Sequence, residues 1–106
     1  MGKSSGKKIT VDVNKFQRIN KENANWIKIF LESKQSLSKQ SLIQYENALQ
    51  IFMIWVYDNC NDKPFTDLKK RDFLRYQNYL LSLGLSSSAI KLKRSAVSSL
   101  CNLIET

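Results

Sequence analysis

From Asn23 onward the apolar positions recur at helical spacings, and no stretch alternates with the period of a strand. The first predicted helix runs about Asn23 to Ser33, with Trp26, Ile27, Phe30 and Leu31 on one stripe. Asn20 or Asn23 caps it, and Ser33-Lys-Gln-Ser36 ends it. The second begins behind Ser38, and Leu42, Tyr45, Leu49, Phe52 and Val56 alternate steps of three and four along one face. Ile51, Met53, Ile54 and Trp55 make its second half apolar nearly all round, so this half belongs in the middle of the domain. Asn59-Cys-Asn-Asp-Lys-Pro64 breaks it, because proline cannot continue a helix and Asn and Asp favour turns. A third helix over about Lys69 to Leu83 buries Phe73, Tyr76, Leu80 and Leu83, and Gly84 supplies the left-handed residue at its exit. The fourth starts at Ser86 as N-cap, runs to about Glu105 and buries Ala89, Ile90, Val97, Leu100, Cys101 and Ile104. The predicted fold class is all-α, a compact four-helix bundle.

The 106 residues suffice for one domain and not for two. Residues 1–20 are sparse in apolar side chains and rich in lysine, and read as a basic, flexible N-terminal arm ahead of a helical domain over 21–106. The opening Met1-Gly-Lys-Ser-Ser-Gly6 also has the composition of a vector-derived leader. No run is long and apolar enough for a membrane span, and the basic start lacks a following apolar region, so a cytoplasmic protein with no membrane partner is expected.

Seventeen Lys and Arg against nine Asp and Glu give a net charge of +8, which suits an anionic partner such as double-stranded DNA. Histidine is absent, and Cys60 and Cys101 stand singly. A Cys/His zinc site and a Ser-His or Cys-His nucleophilic pair are therefore excluded, and no cofactor is expected. The two cysteines read as reduced, apolar residues.

The fourth helix shows where the charge is useful. Lys91, Arg94, Ser95, Ser98 and Asn102 share one stripe flanked by Lys93, and no acid occurs between Asp72 and Glu105. Ordinary solvated helix faces mix both signs. Cations serve phosphates, and short hydroxyl and amide side chains reach phosphates or base edges. The start of the second helix repeats the pattern with Lys39, Gln40, Ser41 and Gln44, again without an acid before Glu46. Its free backbone N–H groups favour an anion as well. Lys69-Lys70-Arg71 lies beside Asp67 and Asp72 and reads as solvated surface. The aromatics fall on core stripes, not on a base-stacking platform.

Ser38-x-x-Ser41-Leu42-x-x-Tyr45-x-x-x-Leu49-x-x-Phe52 resembles the second-helix signature of the core-binding domain in phage-integrase-type tyrosine recombinases. Residues 66–84 resemble that family's third helix and its exit, and Leu85-Ser86-x-x-Ala89-Ile90 with Ser95-Ala96-Val97 resembles its fourth. The match covers about residues 21–104 in order. Ser41 and Ala89 stand where threonine is more usual, and Ala89 has no hydroxyl to offer a contact. The resemblance implies a SAM-like domain that clamps a recombination half-site through the second and fourth helices. It also implies a catalytic domain, C-terminal in the same protein, that holds the Arg, Lys, His and Tyr constellation. On this reading the chain is not itself an enzyme and is a monomer when isolated.

A free-standing helical adaptor that binds proteins through an apolar groove is the competing reading, and it predicts salt-insensitive partners. A helix-turn-helix repressor needs a short recognition unit that the long second helix does not offer.

Overall fold

The computed structural model describes residues 9–105, so residues 1–8 of the predicted arm lie outside the described residues. All four predicted helices form, preceded by one further short turn. They are α1 (Val13–Phe16), α2 (Lys21–Ser33), α3 (Lys39–Asn59), α4 (Lys70–Ser82) and α5 (Ser87–Glu105), with a 3-10 turn at Phe65–Asp67 before α4. Among the described residues there is no strand.

Side chains close the helix starts where the sequence offers them. Asn20 Oδ1 accepts from the Asn23 N–H at 2.7 Å. Ser38 Oγ accepts from the Ser41 N–H at 3.2 Å, and Ser86 Oγ from the Ala89 N–H at 3.2 Å. Each such cap contributes about 1 kcal/mol. At α4 the acceptor sits inside the helix, where Asp72 Oδ2 takes the Lys69 N–H at 2.9 Å. Gly84 has φ +72°, the left-handed exit that its position predicts.

α3 is the central element, as its all-round apolar second half requires. Leu49, Phe52, Met53 and Val56 are fully buried, and α5 packs on α3 more extensively than on any other helix. The ring of Phe52 collects Trp55, Phe65, Phe73 and Tyr76, with the Tyr76 ring edge-on at 4.7 Å. This cluster joins α3 to α4 and to the 3-10 turn.

A polar clip fixes the loop after α3. Asn61 and Asp62 take left-handed φ values of 54° and 53°, which Asn and Asp tolerate better than other residues. Asn20 Nδ2 donates to the Asp62 carbonyl at 2.8 Å. The fully buried Asn23 donates to the Lys63 carbonyl at 2.9 Å and accepts from the Phe65 N–H at 2.7 Å. The start of α2 thereby seats Phe65 in the core.

Packing starts earlier in the chain than the hydrophobic pattern predicts. Ile19 is buried, Ile9 and Phe16 lie against the core, and Lys15 Nζ pairs with Asp58 Oδ2 at 2.8 Å. Residues 9–20 therefore lie along α3, through scattered apolar side chains too few to make a periodic stripe.

Candidate nucleic-acid interface

α5 turns one face to the core and the other to solvent. Ala96, Val97 and Leu100 are buried, whereas Lys91, Arg94, Ser95, Ser98 and Asn102 are all exposed. Lys91, Arg94, Ser95 and Ser98 border one shallow open depression along the helix, with Ser99 beside them. The spacing that defined the stripe thus delivers a single continuous surface.

Lys93 lies apart from that stripe. At about 100° per residue it lies about 200° around the helix from Lys91, on the side of Leu100. It is half-buried, and desolvation pushes its ammonium below its ordinary value. The helical repeat sends alternate residues to opposite faces, so neighbours in sequence are not neighbours on this surface.

On α3 the predicted residues separate in the same way. Lys39, Gln40 and Gln44 are exposed, with Gln40 and Gln44 one turn apart. Ser41 is half-buried and committed to the cap, its Oγ accepting from Ser38 Oγ at 3.1 Å. It shapes the helix start and presents little of itself to solvent. Because α3 and α5 pack directly on each other, the two predicted surfaces belong to adjacent helices.

Lys39, Lys91 and Arg94 differ from Lys15 and Arg75 in having no carboxylate partner among the described residues. Among the described residues the ion pairs are Lys15 with Asp58 and Arg75 with Asp72, and neither uses Lys39, Lys91 or Arg94. An exposed cation without a carboxylate keeps its charge available to a phosphate. By contrast, Arg75 is committed. It sits 3.5 Å from Asp72 and stacks over the Trp55 ring, with its carbon 5.6 Å from the ring centroid.

The remaining chemistry-bearing side chains serve the scaffold. Cys60 is buried with its Sγ 3.9 Å from Asp72 Oδ1, and burial pushes its thiol up. Tyr76 is buried within the aromatic cluster, and burial raises its phenol likewise. Among the described residues no group of His, Cys, Asp and Glu could hold a metal ion, and no helix is long and apolar enough to cross a membrane. Sequence reasoning missed Asn23, which it offered only as a cap; its partners lie forty residues away, beyond what local spacing reveals.

The family described as phage integrase, N-terminal SAM-like domain, matches residues 26–104. The SPbeta prophage-derived recombinase-like protein YomM of Bacillus subtilis (strain 168) is 39% identical over 90 residues, covering 85% of this chain. The chain spans 27% of that relative's own length. No solved structure matches it.

Proposed function

The chain belongs to the family of phage-integrase N-terminal SAM-like domains, and on that premise we propose that it binds double-stranded DNA through α5 and the start of α3. The observation that carries this reading is the exposed face of α5, where Lys91 and Arg94 stand among serines with no carboxylate paired to them among the described residues. Lys91, Arg94 and Lys39 bind phosphates, and the first turn of α3 adds its free N–H groups and favourable dipole. Ser95, Ser98, Gln40 and Gln44 are short enough for phosphates or base edges. Ser41 shapes the start of α3, and Lys93 lies off this surface. The basic residues of 1–20 add to the net positive charge that attracts the duplex.

In the parent recombinase this domain clamps one face of a half-site in the cytoplasm. Strand cleavage and rejoining belong to a catalytic domain elsewhere in that protein. With no histidine and its central tyrosine buried, this chain supplies grip and no chemistry.

Titration of isotope-labelled chain with a DNA duplex tests the surface. The largest amide shifts should fall on residues 91–98 and 39–44, and shifts centred on α2 or α4 would show that the face is wrong. Incubation with nicked or intact duplex should leave no covalent protein–DNA adduct.

A further inference from the structure

Between α4 and α5 runs a groove of about 350 Å³, bordered by the DNA face at Arg94 and Ser98 and extending beyond it to α4. Phe73 and Gln77 form its α4 wall, and Arg94, Ser98, Cys101 and Glu105 lie along its α5 wall. These α5 positions are separated by four, three and four residues, the spacing of a seam on which a second helix packs. The seam carries opposite charges at its two ends. Arg94 and Glu105 are both exposed, eleven residues or about 16 Å apart, and neither enters an ion pair among the described residues. Its centre is small, since Ser98 and Cys101 allow another helix to approach closely.

A seam with this charge order is complementary to itself when reversed. In an antiparallel arrangement Arg94 meets Glu105 of a second copy while Ser98 meets its Cys101. A two-fold axis at the centre makes every one of these contacts twice, as a closed symmetric dimer requires. We propose that the groove seats α5 of a second copy of this chain, antiparallel, and that the dimer covers Arg94 and Ser98. The sequence reading expects a monomer for the isolated chain, and the +8 on each copy opposes association. The dimer is accordingly weak and forms at high protein concentration. That it masks a DNA face rests on the function proposed above; the dimer itself does not.

Sedimentation equilibrium on the whole chain, with helicity checked by circular dichroism, provides the test. The wild type should pass from monomer to dimer as concentration rises. Arg94→Glu and Glu105→Arg should each remain monomeric at every concentration that dimerises the wild type. Combining both changes in one chain should restore the dimer, and mixing the two single variants should give a heterodimer. Ser98→Cys adds a covalent readout. With a mild added oxidant its new thiol and Cys101 of the second copy should lose two electrons and two protons and join as a disulfide. A wild type monomeric into the millimolar range, or a double variant that stays monomeric, would overturn the proposal. The dimer and the DNA reading separate cleanly. The double variant should dimerise but bind duplex poorly, since Arg94 is gone; a dimer that forms while the wild type ignores DNA would sink only the DNA reading.

Discussion

The loop clip beside α2 and the outer face of α5 are both polar, yet they treat their polar groups in opposite ways. At the clip and the neighbouring α4 start each group meets a partner. Asn23 satisfies two backbone groups, Asp72 takes the Lys69 N–H, and Arg75 sits between Asp72 and Trp55. On α5, Lys91 and Arg94 stand exposed with no ion pair among the described residues. Saturated polar groups stabilise a fold, because unmaking them strands a buried donor or acceptor. Unpaired, solvated ones contribute little to stability and leave their charge for a ligand. The proposed DNA surface accordingly rests on the absence of neighbouring acids and not on cation count.

Substitutions on the two regions should therefore separate stability from binding. The largest loss of stability is expected at Asn23→Ala, which strands the Phe65 N–H and the Lys63 carbonyl. Urea denaturation should show about 3 kcal/mol, with no change in the salt dependence of DNA binding while the protein stays folded. Next comes Asp72→Asn, at about 2 kcal/mol near neutral pH.

That second effect is tied to pH. The hydrogen bond from the Lys69 backbone N–H, against an opposing desolvation cost, holds the Asp72 carboxyl below its ordinary value, and Arg75 adds to the shift. A lowered folded value means that the stabilisation is complete above the unfolded value of about 3.9. It is lost as pH falls through the lower folded value. Wild-type and Asp72→Asn stabilities should converge in acid, and curves that stay parallel would deny the carboxylate this role. The smallest effect is expected at Lys93→Met, which removes a half-buried, desolvated ammonium. It should alter stability by under about 1 kcal/mol and leave the salt slope alone. A flatter slope would return Lys93 to the DNA face.

Most of this division was legible in the sequence. Four helices, the Ser38 and Ser86 caps and the Gly84 exit follow from local periodicity and turn chemistry, and so does the acid-free stripe of α5. What stayed hidden depends on the third dimension. Lys93 sits within two residues of Lys91, and only the helical turn separates them. Ser41 looked like a surface hydroxyl because its commitment to the Ser38 cap does not show in composition. Ile19, Phe16 and Ile9 pack on the core without a periodic signature, so no hydrophobic pattern announces them. The Asn23 contacts join residues forty apart, which no local window detects.

The most direct test of the central claim is the salt dependence of duplex affinity. Each neutralised phosphate contributes about −0.9 to the slope of log K against log salt. Lys39, Lys91 and Arg94 together predict a slope of about −2.7 for the wild type. Lys91→Ala with Arg94→Ala should flatten it by about two units while the helical spectrum is unchanged. Lys69→Ala with Lys70→Ala removes equal charge from the start of α4 and should leave the slope near the wild-type value. Equal flattening by both pairs would contradict the account, because binding would then follow total charge and not the acid-free face of α5.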